Sequence, residues 1–207
     1  MNIKLENVLP MEIEKRSFEL IEAEMTTNPP EDIKPIMKRV IHTTADFEYE
    51  HTLTFSQNVI EIAKEAIRNG ACVVTDTNMV RAGINKKKLA EYGGEVFCFM
   101  ADDDVCEDAK KSGSTRASAS MEKATKLNQK LIFAIGNAPT ALVKIRELID
   151  EGKLKPELII GVPVGFVNVV ASKELILETD IPYIIAKGRK GGSNVAAAIV
   201  NALLYSL

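Results

Sequence analysis

The sequence predicts an α/β fold of three layers: a mainly parallel five-stranded sheet with helices on both faces, preceded by N-terminal helices. Three observations carry that expectation. Short continuous apolar runs recur from residue 71 onward, the pattern of strands buried on both faces. Helical segments fall between them, as parallel crossovers require. No Ser- or Pro-rich linker, internal repeat or low-complexity tract divides the chain, so residues 1–207 read as a single domain.

Residues 11–25 hold Ile13, Phe18, Leu20, Ile21 and Met25 in an imperfect helical stripe. Thr26-Thr27-Asn28-Pro29-Pro30 stops it, because proline lacks a backbone donor and disfavours helix in the residue before it. A second helix is expected over 33–41, with Ile36, Met37, Val40 and Ile41 on one side and His42, Thr43 and Thr44 at its end. Phe47, Tyr49, His51, Leu53 and Phe55 alternate as a strand would, or form an irregular lead into the next helix. That helix is expected over 57–68, closed by Asn69-Gly70, where glycine accommodates a positive φ. Strands follow at 71–75, 95–99, 130–135, 157–162 and 183–186, and helices at 86–92, 115–127, 139–150, 168–177 and 194–204. In such sheets ligands bind beyond the carboxyl ends of the strands. The loops 76–81, 136–140, 163–166 and 187–193 are therefore expected to converge on one cleft.

Composition narrows the partners. Twenty-six Lys and Arg against 29 Asp and Glu give a net charge of −3, without the basic excess of a general nucleic-acid binder. At 46% hydrophobic and 27% charged, the chain lies outside the disordered range. No apolar run reaches the ~18 residues that span a bilayer. Met1-Asn2-Ile3-Lys4-Leu5-Glu6 lacks the basic start and apolar stretch of a signal peptide. Cys72, Cys98 and Cys106 are odd in number and fit no paired metal spacing, which reads as reduced thiols in the cytoplasm.

The most chemically loaded loop is Lys187-Gly188-Arg189-Lys190-Gly191-Gly192-Ser193. It brings cations and glycines to the start of a helix, where anions are favoured, yet it matches neither a P-loop nor GxGxxG. It is an anion site or a solvated turn. Gly136-Asn137-Ala138-Pro139-Thr140 fits a strand-to-helix turn with proline in the first helical position, its backbone donors a secondary ligand candidate. Arg116, behind the hydroxyls of Ser114 and Thr115, can reach a carboxylate or phosphate, or stand solvated. Gly161-Val162-Pro163-Val164-Gly165-Phe166 is apolar and rigid, a pocket wall. His42 and His51 are the only histidines. Arg39 precedes His42 by three residues, so a helix points both to one side. That pairs a cation for an acidic ligand with a group able to move protons near neutral pH, unless His42 merely bonds a helix-end carbonyl. His51, among alternating apolar residues, reads as structural. No metal site is expected: the histidines are nine apart and Asp102-Asp103-Asp104 reads as a solvated turn. A nucleophile elbow such as GxSxG is absent.

Five blocks, in order, resemble the precorrin-8X and cobalt-precorrin-8 methylmutase family. They are Arg16-Ser17-Phe18-Glu19, Arg39-Val40-Ile41-His42-Thr43-Thr44-Ala45-Asp46-Phe47, Ile135-Gly136-Asn137-Ala138-Pro139-Thr140-Ala141-Leu142, Gly161-Val162-Pro163-Val164-Gly165-Phe166-Val167 and Gly188-Arg189-Lys190-Gly191-Gly192-Ser193. The resemblance covers residues 11–204. It implies an isomerase of cobalamin biosynthesis that moves a methyl group from C11 to C12 of the corrin ring, giving hydrogenobyrinate or cobyrinate. It maps the family's proton-transferring histidine onto His42 and family substrate contacts onto Ser17 and Arg39. It also implies a homodimer with active sites near the subunit interface. Arg116, Gly136, Asn137 and Arg189 complete the expected substrate-binding set, since a macrocycle fringed with carboxylates calls for cations, backbone donors and apolar walls. The rearrangement calls for no external cofactor, and cobalt, where present, belongs to the substrate. Thr43-Thr44-Ala45-Asp46-Phe47 resembles the cobalt branch. Hand-over of product to a downstream amidase is a further expectation. Two other readings are a non-catalytic tetrapyrrole carrier and an α/β enzyme acting on a phosphorylated metabolite.

Overall fold

The structure, a computed structural model, describes residues 6–207. Most of the N-terminal segment read above for a leader, residues 1–5, lies outside the described residues. Strands β1 (Leu53–Phe55), β2 (Cys72–Thr75), β3 (Val96–Phe97), β4 (Leu131–Ile135), β5 (Leu158–Gly161) and β6 (Tyr183–Ala186) form one sheet in the order β1-β6-β5-β4-β2-β3. Strands β2 to β6 run parallel, and β1 pairs antiparallel with β6.

The five expected parallel strands are present, and a sixth completes the edge. Within the alternating segment 47–55 only Leu53–Phe55 is extended, with Leu53 opposite Ala186 and Phe55 opposite Ile184. Tyr49–Thr52 is a single helical turn, α3. So short a strand is specified by its neighbour in the sheet, which alternation within one segment cannot reveal.

The remaining helices are α1 (Ile13–Glu24), α2 (Lys34–Thr44), α4 (Val59–Arg68), α5 (Asn78–Gly83), α6 (Lys86–Ala90), α7 (Asp103–Ser112), α8 (Arg116–Ala124), α9 (Pro139–Asp150), α10 (Val169–Leu177) and α11 (Ser193–Tyr205). Two depart from the expectation. Most of the 76–81 loop is the start of α5, whose first turn is capped by Thr77 Oγ1 accepting from the Val80 N–H at 3.1 Å. The acidic triplet is a helix start rather than a solvated turn: Asp103 and Asp104 occupy the first turn of α7, where carboxylates meet the positive helix end. Asp102 and Asp104 also hold Lys123 of α8, each at 2.7 Å.

Strand side chains alternate between two cores, as the period of two demands. Val73, Ile132, Ala134, Leu158, Ile160 and Ile184 face a core shared with α2, α4 and α11. Val74, Phe133, Ile135, Ile159 and Ile185 face another, shared with α8, α9 and α10. Each fully buried Ile or Phe contributes roughly 1.5–3 kcal/mol, so the sheet anchors both layers. Helix α11 is apolar on nearly every side because it is wedged between the sheet and α2, α4 and α5. No helix among the described residues is long and apolar enough to cross a membrane.

Candidate active site

The site is built at the end of α2. Thr44 Oγ1 donates to the Val40 carbonyl and accepts from the Asp46 N–H, and Ala45 stops the helix in the left-handed region at φ 52°. An alanine there is strained, so the turn after His42 is held by its surroundings. Phe18 of α1 packs on this end. Its ring meets His42 edge to face, with centroids 5.2 Å apart and planes at 73°, and the Arg39 guanidinium lies 4.7 Å from its centroid. Arg39 also lies 5.4 Å from the Tyr205 ring centroid and pairs with Glu14. That hydrogen bond holds the Glu14 carboxyl below its ordinary value, with the charge of His42 adding to the effect.

Arg39, His42, Thr43, Gly83, Asn194, Asn201 and Tyr205 line an open cleft of about 550 Å³. Thr43 and Asn194 also border an adjoining hollow of about 370 Å³, with Thr44, Asp46, Tyr49, Val164, Lys190 and Gly191. These volumes fall within the range of small-molecule sites. Lys190 is engaged, pairing with Asp46 at 2.6 Å and Glu48 at 2.8 Å, which raises its own pKa and lowers that of Asp46. The hydroxyl of Tyr49 beside them is pushed up to about 12, chiefly by burial. A hollow of about 480 Å³ between α7 and α8 is lined by Lys123 and its partner Asp104 and contains no histidine.

Two buried charges shape the loops at the sheet's carboxyl edge. The connection from β2 leads to β3 on one side and that from β4 leads to β5 on the other, so the chain leaves these neighbouring strands in opposite directions and opens a crevice between them. Asp76, fully buried, fills that crevice. Its Oδ1 accepts from the Gly136 N–H at 3.0 Å, and its Oδ2 accepts from Asn137 and Ala138 at 2.7 and 2.6 Å. Burial pushes its carboxyl up against the pull of those three bonds. Gly136 also permits contact with the last loop, since a Cβ there would sit 2.7 Å from the Ser193 Cα. On the other side Lys173, 1% exposed, donates to the carbonyls of Gly188 and Lys190, each at 2.8 Å. Gly191 is required because a Cβ would lie 2.1 Å from the Val162 oxygen.

Of the residues singled out in the sequence, the structure brings together Arg39 and His42, with the 190–191 part of the glycine-rich loop beside them. Ser17 lies on α1 near Phe18, its Oγ donating to the Ile13 carbonyl at 2.8 Å. The Arg189 guanidinium lies 5.5 Å from the Phe166 ring centroid, with both residues exposed. Arg116 is exposed at the start of α8, with Nη1 3.9 Å from Cys106 Sγ, and lines neither hollow. Gly136 and Asn137 line neither, and their N–H groups are committed to Asp76. Phe166 and Val167 stand 82% and 79% exposed, so this apolar segment projects outward from the molecule. Sequence reading missed Asn194, Asn201 and Tyr205, although their helical spacing on an otherwise apolar α11 marks a polar stripe. It placed Asp76 in a cleft loop without its role as a buried anchor and missed Lys173, because one buried charge among many surface charges leaves no periodic trace.

Fold and cleft together define an α/β enzyme with an open hollow rimmed by cationic, amide and hydroxyl side chains. A family model described as precorrin-8X methylmutase matches residues 12–206. The cobalt-precorrin-8 methylmutase of Priestia megaterium is 47% identical over 197 residues, covering 95% of this chain and 88% of that protein. That of Salmonella typhimurium is 42% identical and covers 96% of each chain. A solved structure of the precorrin-8X methylmutase of Thermus thermophilus superposes with a TM-score of 0.85 at 36% identity, covering 94% of this chain and 96% of that one. The chain belongs to the precorrin-8X methylmutase family. It is a methylmutase, an isomerase of cobalamin biosynthesis.

Proposed function

We propose that the enzyme moves the methyl group of cobalt-precorrin-8 from C11 to C12 of the corrin ring to give cobyrinate, with His42 as proton donor and acceptor. The observation that carries this reading is the placement of His42 and Arg39 one turn apart on α2, opening into one cleft with His42 steadied by Phe18. Arg39 and the loop 187–193, with Arg189, meet peripheral carboxylates, and Ser17 and Arg116 are further proposed contacts, while Gly136 and Asn137, expected as contacts, have their N–H groups taken by Asp76. In the rearrangement the bond from C11 to the methyl carbon breaks as the bond to C12 forms. A proton lent by His42 draws electron density from the migrating centre and is returned afterwards, so atoms balance without an external cofactor. Where cobalt occupies the ring nitrogens, that proton goes to a peripheral atom of the macrocycle. The names and identities of the relatives above support the cobalt-containing substrate.

His42→Ala is expected to lower turnover by about 10²–10⁴ while corrinoid binding persists, followed by the spectral change from substrate to product. Unchanged turnover removes His42 from the chemistry. Tight corrinoid binding with no conversion by the wild type would instead establish a carrier. The reading includes one domain over 1–207, a cytoplasmic location and direct hand-over of product to an amidase. It also includes a homodimer, supported by the exposed Val164, Phe166 and Val167 beside the second hollow. A monomeric mass in light scattering would remove the dimer.

A further inference from the structure

We propose that Lys173 is a positioning residue for the corrinoid cleft: its buried ammonium turns the carbonyls of Gly188 and Lys190 inward and thereby presents the N–H groups of Arg189 and Gly191 to the ligand. The inference rests on the corrinoid reading above and adds to it a residue that lines neither hollow.

Lys173 sits on α10 against β5 and β6, and it forms no ion pair among the described residues. Taking an ammonium out of water with no counter-ion is unfavourable, and burial alone lowers its pKa to about 8. A methionine would fill similar space without that cost. What only the amine supplies is donors for two inward carbonyls, each at 2.8 Å. The peptide group is planar and trans, so its C=O and N–H point in opposite directions. With the Gly188 carbonyl turned to Lys173, the Arg189 N–H faces away, and the Lys190 carbonyl fixes the Gly191 N–H in the same manner. Neither N–H has a backbone acceptor among the described residues. Gly191 borders the second hollow, and unpaired N–H groups close together in a glycine-rich turn are the backbone's own means of holding an anion. They matter because the nearby Lys190 is already engaged by Asp46 and Glu48.

The loop is tied at other points, which is why Lys173 sets its orientation rather than its existence. The Lys187 N–H donates to the Thr52 carbonyl, the Gly192 N–H to Val162, and the Arg189 carbonyl accepts from Gly165. Lys173 is the tie that acts on the 188–189 and 190–191 peptides, the second of which borders the hollow.

The test compares wild type with Lys173→Met in the full-length protein, using cobalt-precorrin-8 turnover and amide exchange read by mass spectrometry. KM is expected to rise at least about tenfold while kcat falls less than about threefold, because a binding contact is lost and the proton-transfer group is untouched. Exchange in residues 187–193 is expected to accelerate about tenfold, with residues 136–140 unchanged. Wild-type KM and wild-type loop exchange in a folded variant overturn the proposal. Should Lys173→Met fail to fold, Lys173→Gln, too short to reach both carbonyls, is measured in the same way: a raised KM upholds the proposal and a wild-type KM overturns it. If wild type neither binds nor converts the corrinoid, the functional reading fails while the exchange experiment still decides whether Lys173 orients the loop.

Discussion

The turn after β4 and the loop after β6 are both glycine-containing bends at the carboxyl edge of one sheet, and each is held by a buried charge that has no counter-ion among the described residues. The signs differ, and so does the outcome. Asp76 accepts from three successive N–H groups, consuming the donors by which the 136–140 turn could have held an anion. Lys173 takes carbonyls instead and leaves the N–H groups of Arg189 and Gly191 without a backbone acceptor among the described residues. The crevice at the topological switch point, where doubly wound folds commonly bind ligands, is thus closed by the protein's own carboxylate. The open cleft lies to one side, under α2 and α11. A glycine-rich turn becomes a ligand site according to which half of its peptide groups the protein has already used.

The sharpest way to break this comparison is Asp76→Asn. One amide oxygen cannot serve three donors, and its NH₂ group must face a buried N–H, so a stability loss of roughly 2–4 kcal/mol is expected in urea unfolding. Stability equal to wild type would mean the turn holds its own shape. A smaller effect separates the two charges by pH. Lys173 has a folded pKa near 8 against 10.5 unfolded, so between those values the unfolded chain holds a proton that the folded chain has released. Stability at this position therefore rises with pH across that window, and below it the cost of burying the ammonium is fully present. From about pH 7.5 to about pH 9.5, wild type is expected to gain roughly 1–2 kcal/mol relative to Lys173→Met. A pH-independent difference would show that the amine is solvated. The smallest effect is expected from Asp46→Asn: the pair with Lys190 is partly exposed and Glu48 remains, so the loss stays below about 1 kcal/mol in thermal unfolding.

Much of the fold was legible because its signals are local. Apolar runs such as Leu131–Ile135 mark buried strands, and Pro139 and Gly70 mark a helix start and a helix stop within a few residues. Strand β6 and helix α9 fall at their expected bounds. Strand β1 was obscured because its three residues are extended only through pairing with β6. Helix α7 was obscured because its acidic start resembles a solvated turn until Lys123 is brought across from α8. In the candidate site, the spacing of Arg39 and His42 was readable from one helical turn. Phe18, which meets both, becomes their neighbour only when α1 folds back on α2.

The sequence by itself determined the α/β class, the family and the pairing of Arg39 with His42, because strand and helix periods, glycine and proline positions, and short motifs are properties of adjacent residues. Only the tertiary structure decided which loop stays open. That choice depends on Asp76 meeting residues 60 to 62 positions away and on Lys173 meeting carbonyls 15 and 17 positions away. Partners so far apart in the chain are selected by packing, where a buried charge must find whatever backbone groups the fold brings to it.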